Sequence, residues 1–306
     1  MRKYEIENSH LKMAFKNGST PSKYQDNLVY ATIMGSMAYN CHHKQGEATA
    51  KKSDFDVYGV YMCEKEDQFP QQFGFVYGFD TVKEFEVYQK HHISSSDNNA
   101  EYDLNIYPFP RYVKLCAENN PNMLDSLFTQ DNLHLHNSEV SNILIANRGL
   151  FLSKQAKVKL MGYAHGQFNQ LEKQAKSNSE KRQEDIKFYG YDLKKAYHVI
   201  RLALQAQQIL IEHDLDITRN AEILKDIRAG NWSLQQLRDY YNELKSILEH
   251  SYNSSTLRVK PDELEIKGVV NKCFEAHYGS LSKAEFAMPD QFNLLKNELK
   301  NILLKF

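Results

Sequence analysis

The sequence predicts an α+β protein in which a small mixed sheet with flanking helices leads into a mainly helical part. Three observations predict this. Short runs of strand-forming residues, some alternating with period two, are confined to the front of the chain. Five of the seven prolines lie at or before Pro121, and none falls between Asn122 and Lys260. That proline-free stretch is rich in Leu, Lys, Gln, Glu and Ala, the residues that lose least on entering a helix.

In order along the chain, Leu28–Met34 is an apolar, strand-forming run closed by Gly35-Ser36. Phe55–Met62 is a second strand. Glu84–Tyr88 and Glu101–Tyr107 alternate as half-buried strands do, and the polar Ser94–Asn99 between them predicts a hairpin. A helix over Arg111–Glu118 is stopped by Asn119-Asn120-Pro121, because proline disfavours a helical residue before it. The spacing sets a divide near residues 130–140, with a sheet domain over 1–135 and a helical domain over 136–306 that closes a cleft against it.

Of the 306 residues 42% are apolar, enough for one large or two modest cores. The formal net charge of −1 excludes a protein that coats nucleic acid through a general basic excess, so any such contact is a local patch. The four cysteines, Cys41, Cys63, Cys116 and Cys273, share no CxxC-type spacing and read as reduced thiols. The first residues lack the apolar core of a signal peptide, and no run is long enough to span a bilayer, so a cytoplasmic setting is expected.

The chemistry gathers at Ser53-Asp54-Phe55-Asp56-Val57. On a strand, residues i and i+2 share a face, so Asp54 and Asp56 project together while Phe55 and Val57 enter the core. Adjacent carboxylates both stay ionised when a cation lies between them, and Mg²⁺ prefers one or two carboxylates plus phosphate oxygens. Asp-x-Asp alone is common, but three features add to it. Gly35-Ser36 follows a buried strand and offers backbone N–H groups and a hydroxyl to a phosphate tail. The pair opens an apolar strand. Asp103, on another alternating strand, can complete a triad, although Glu101 lies on the same face and could serve instead.

Strand, Gly-Ser, then Asp-x-Asp on the next strand resembles the DNA polymerase β nucleotidyltransferase superfamily. Gly35–Tyr39 with Ser53–Val60 is similar to one branch, the predicted nucleotidyltransferases found with RNA ligases in bacteria and tailed phages. The resemblance continues through Asn120–Leu127, Leu152–Lys154, Gly162-Tyr163 and Tyr191–Leu202, ending at Ala221–Arg228. It implies that Gly35 and Ser36 hold nucleotide phosphates. It implies too that Asp54, Asp56 and Asp103 bind two Mg²⁺ ions, with Mn²⁺ a possible substitute. The chain departs from the family in the seventeen residues from Met37 to Ser53, a longer connection than usual, and in Asn40, where glycine is usual. His42 and His43 in that insertion have no evident co-ligands and read as loop.

At about 100° per residue, Lys194, His198, Arg201 and Gln205 fall within roughly 60° of one another on a helix that is otherwise almost wholly apolar. A buried helix with one cationic stripe needs an anion or a cleft to face. The functional reading has Lys194, His198 and Arg201 bind triphosphate or substrate phosphates; the plainer one pairs them with acids such as Asp185 or Asp192. Ser153 and Lys154 read, unaided, as a helix cap and a surface lysine.

The expected activity is transfer of a nucleoside monophosphate from an NTP to a hydroxyl. The family's association with RNA ligases makes RNA, a tRNA end among the candidates, the favoured acceptor. A protein or small-molecule acceptor, or a non-catalytic nucleotide sensor, are the alternatives. The sequence gives neither the nucleotide nor the oligomeric state.

Overall fold

The strands β1 (Leu28–Ile33), β2 (Phe55–Tyr61), β3 (Tyr88–Ser95), β4 (Ala100–Pro108) and β5 (His134–Asn137) form one mixed sheet in the order β3-β4-β2-β1-β5. The structure is a computed structural model that describes residues 6–41, 55–68, 85–95, 100–173, 180–280, 299, 302 and 303. β2 and β4 are parallel; the other neighbours are antiparallel. All six residues of β1 are buried, as befits a strand covered on both faces.

One face of the sheet packs on α1 (Ser9–Asn17), whose Leu11, Ala14 and Phe15 meet Val57, Tyr102, Leu104 and Ile106. The other face, with Val29, Tyr30 and Val60, joins a core that runs without interruption through the helices to Cys273. The intervening helices are α2 (Ser22–Asp26), α3 (Gly35–Ala38), α4 (Lys65–Gln68), α5 (Phe109–Ala117), α6 (Pro121–Leu127) and α7 (Glu139–Ala146). They are followed by α8 (Gln155–Glu172), α9 (Glu180–Tyr189), α10 (Leu193–Glu212), α11 (Ala221–Arg228), α12 (Leu234–Ser254) and α13 (Glu263–Tyr278). The divide expected at residue 135 falls inside β5. Tyr278 at the end of α13 donates a hydrogen bond to the Cys63 carbonyl just after β2, at 2.6 Å.

The hairpin forms, but its first strand is Tyr88–Ser95 instead of Glu84–Tyr88. The register slips between Lys90 and Ile93, and His92 takes a left-handed φ of 56°. Such a bulge erases the alternation by which a strand is recognised, leaving four successive exposed residues on the edge of the sheet. The following helix begins at Phe109, two residues early, because Pro110 fits a helical first turn whose N–H needs no partner.

α10 is the axis of the helical part and packs on α8, α11 and α12. Buried Asp192 caps it, accepting the Lys195 N–H at 3.0 Å, and His213 ends it in the left-handed conformation. The four cysteines are free and buried. No described helix is long and apolar enough to cross a membrane.

Candidate active site

The β1–α3–β2 connection brings the Gly-Ser turn against the carboxylate strand. Met34 donates its N–H to the Asp56 carbonyl at 2.7 Å, extending the β1–β2 ladder by one bond. The next residue, Gly35, has φ +66°, and a Cβ placed on it would lie 1.9 Å from Asp56 Oδ2. Glycine is required here twice over, for the backbone and for the approach of the carboxylate. Asn40 has φ +49°. Asparagine is one of the few non-glycine residues that tolerate this left-handed conformation well.

Parallel pairing sets Asp56 directly beside Asp103, with both side chains on the sheet face opposite α1. Glu101 is displaced two residues along β4, so the register makes Asp103 the nearer partner of Asp56. The β3 bulge points the His92 N–H at Asp103 Oδ1 (2.8 Å), and His91 Nδ1 lies 3.5 Å from Oδ2. His92 Nδ1 meets Glu101 Oε1 at 2.5 Å. Asp54, Ser53, His42 and His43 lie outside the described residues. Among the described residues, no three His, Cys, Asp or Glu side chains converge on one point.

The polar stripe of α10 splits in two. In its C-terminal half Arg201 forms a buried ion pair with Asp125 of α6, and Gln205 Nε2 donates to Asp125 Oδ1 at 3.1 Å. Tyr39, directly after α3, donates to Asp125 Oδ2 at 2.8 Å, and the Arg201 guanidinium lies 4.1 Å from the Tyr39 ring centroid. Burial pushes the Asp125 carboxyl up, against the pull of Arg201. For Arg201 the pairing with an acid therefore holds, and the acid is Asp125 instead of Asp185 or Asp192; Asp192 lies 3.8 Å from Lys195.

The N-terminal half is made of Lys194 and His198. Lys194 is exposed, and His198 stacks on Tyr197 with ring centroids 4.2 Å apart. Tyr197 lies within electrostatic reach of both Arg201 and Asp56, so α10 and the carboxylate edge of β2 form one locale. Burial, then the charges of Arg201, Lys194, Arg228 and Arg182, hold the His198 imidazole well below its ordinary range. His198 is thus a neutral donor and acceptor at pH 7, not a cation. In the unfolded chain it takes a proton below about pH 6.5. The stability it contributes is therefore full above that pH and is lost as the pH falls. Replacing His198 with Gln should flatten part of the loss of thermal stability between pH 7.5 and 5.5; an unchanged slope would show that His198 is not its source.

Sequence reasoning missed Tyr39, Asp125 and Arg228 as residues of this region. The signal for Asp125 was an acid inside the apolar run Met123-Leu124-Asp125-Ser126-Leu127. Ser153 proves to be fully buried, donating to Asn119 Oδ1 at 2.7 Å, and does not cap α8; Lys154 lies 5.3 Å over the Tyr252 ring.

A family model described as "RNA repair pathway DNA polymerase beta family" (RlaP) matches residues 8–268. The chain belongs to the RlaP family. It is an enzyme of the polymerase-β type of nucleotidyltransferase, a superfamily that generally uses divalent metals. Among solved structures, it matches a nucleotidyltransferase-like protein from Exiguobacterium sibiricum 255-15 at 8% identity, over 80% of this chain and 75% of that one, with a TM-score of 0.28. No curated protein matches the chain. The RlaP match spans the sheet and the helices as far as α13, and takes in Gly35, Asp56, Asp103, Asp125 and Arg201 alike.

Proposed function

We propose that this RlaP-family enzyme transfers a nucleoside monophosphate from an NTP to a hydroxyl of RNA, with pyrophosphate leaving and Mg²⁺ required. The observation that carries the reading is the pairing of Asp56 with Asp103 across parallel strands, with Gly35 vacating the space at Asp56 Oδ2. Two acids side by side at the mouth of a glycine cradle fit a divalent ion and a phosphate oxygen. Asp54, Asp56 and Asp103 would hold two such ions, for which Mn²⁺ would substitute. Bound there, they would offset the charge on the transferred phosphoryl group and on the leaving oxygens.

The chain's own groups do the rest. Gly35 and Ser36 present backbone N–H groups and a hydroxyl to the phosphates. Asp103 is the candidate to accept the proton of the acceptor hydroxyl. Lys194 and neutral His198, on the wall contributed by residues after 135, meet the substrate from the opposite side. Arg201 acts through Tyr39, fixing the end of α3 and with it the Gly-Ser turn. The RNA acceptor is supported by the repair pathway in the family's description.

Gly35→Ala should show how closely the site depends on this cradle. A left-handed alanine costs about 1–2 kcal/mol. Displacing the Asp56 carboxylate should cost more in turnover, about 10²-fold. Thermal melting and initial rates on the same preparation check this, and a rate that falls no further than stability would contradict it.

The test of the activity itself is incubation of the whole chain with each labelled NTP, Mg²⁺ or Mn²⁺, and separate pools of RNA and protein. Label in RNA, abolished by chelator, is the expected result. Label in the protein pool would reassign the acceptor. Nucleotide binding with no metal-dependent release of pyrophosphate would sink the enzymatic reading in favour of a sensor.

A further inference from the structure

Around His198 the structure gathers four cations, Arg201, Lys194, Arg228 and Arg182. Arg228, at the end of α11, lies half-buried with its guanidinium 5.0 Å from the Tyr197 ring centroid and its Nη1 3.6 Å from Cys41 Sγ. Arg182 of α9 and Lys194 of α10 lie within electrostatic reach of the same imidazole. Among the described residues, none of these three cations is paired with a carboxylate, whereas neighbouring Lys195, Arg201 and Lys225 each lie within 4.0 Å of one. The four charged groups that act most on His198 are all cations.

Like charges gathered on a partly buried surface repel one another, and their field is offset when an anion binds among them. The position says which anion. Cys41 donates its N–H to the Ser36 carbonyl at 2.9 Å, so Arg228 touches the chain five residues beyond the Gly-Ser turn. Tyr197, under Arg228, lies within electrostatic reach of Asp56. Through Cys41 the cluster thus adjoins the Gly-Ser turn, where the proposed function puts the nucleotide phosphates.

We infer that Arg228, Arg182 and Lys194 form a binding site for the outer phosphates of a nucleoside triphosphate, with Arg228, braced between Tyr197 and Cys41, as its fixed element. Arg228 is placed by its own contacts and the other two by their field at His198; the ligand rests on the proposed nucleotidyl transfer. Arg201, singled out by sequence pattern together with Lys194 and His198, is already held by Asp125 and leaves this task to Arg228.

The experiment measures binding of metal-free inorganic tripolyphosphate to the whole chain by calorimetry, in parallel with NTP, NDP and NMP in the presence of Mg²⁺. Arg228→Met and Arg182→Met should each weaken tripolyphosphate about tenfold, the scale of one charge-assisted hydrogen bond. They should also narrow the preference for NTP over NMP. Melting temperature is followed throughout; removal of an unpaired cation should leave it unchanged or raise it at low salt, which separates lost binding from lost fold. Tripolyphosphate that binds the variants as well as the parent chain, or fails to bind the parent, overturns the site. A single-stranded RNA that depends on these residues while tripolyphosphate does not overturns the ligand. If tripolyphosphate binds through these residues but no NTP is turned over, the anion site stands and the nucleotidyl-transfer reading falls.

Discussion

Replacing Asp56 with asparagine is expected to reduce nucleotidyl transfer by about 10³-fold or more and to leave the fold intact. Losing a charge that organises a phosphoryl-transfer site acts on this scale. Asparagine has nearly the same shape, so the contact with Gly35 survives, and its backbone still accepts the Met34 N–H. Stability should not fall, because Asp56 sits directly beside Asp103 and removing one of two neighbouring carboxylates relieves repulsion. Activity and stability should therefore move apart, which a merely structural aspartate would not allow. Release of pyrophosphate measured alongside thermal melting reads both. Near-parental turnover in Asp56→Asn would refute the metal assignment, and Asp54→Asn should behave in the same way.

The parts of this site that lie close together in sequence were legible; the parts assembled across the fold were not. β1, β2 and β4 declare themselves because each sets apolar residues against a core, and Gly35-Ser36 marks where the first of them ends. Asp56 and Asp103 follow from strand periodicity, although only the parallel register shows that they are neighbours and that Asp103 lies nearer than Glu101. β3 was misplaced because the bulge at His92 replaces alternation with an exposed polar run. The stripe on α10 was found from helical spacing, but spacing on one helix says nothing of what stands opposite. Asp125 lies 76 residues before Arg201, in a short helix whose neighbours are apolar. A partner at that separation is fixed by tertiary packing, and the local pattern holds no trace of it.

That partner sets the largest stability effect expected in the molecule. Arg201 and Asp125 are both buried, and removing one member of such a pair leaves the other charge uncompensated, a loss of about 3–5 kcal/mol. Arg201→Met keeps most of the volume and should lower the melting temperature by on the order of 10 °C. Asp125→Leu should cost more, because Asp125 accepts hydrogen bonds from three side chains, Tyr39, Gln205 and Arg201, and its loss leaves Arg201 only the longer bond to Gln205 Oε1. The double variant should lose less than the sum of the two, since an apolar pair no longer strands either charge. The pH dependence carries a sign of its own. Burial already raises the Asp125 carboxyl, and Arg201 opposes that rise; without Arg201 the carboxyl moves further up. A raised acid favours the folded state below its unfolded value and loses that advantage as the pH climbs through the folded one. Arg201→Met should therefore be closer to the parent chain at pH 5 than at pH 8. Equal losses at both, together with strict additivity in the double variant, would show that the two residues do not act as a pair, and that Arg201 is free to serve the phosphates directly.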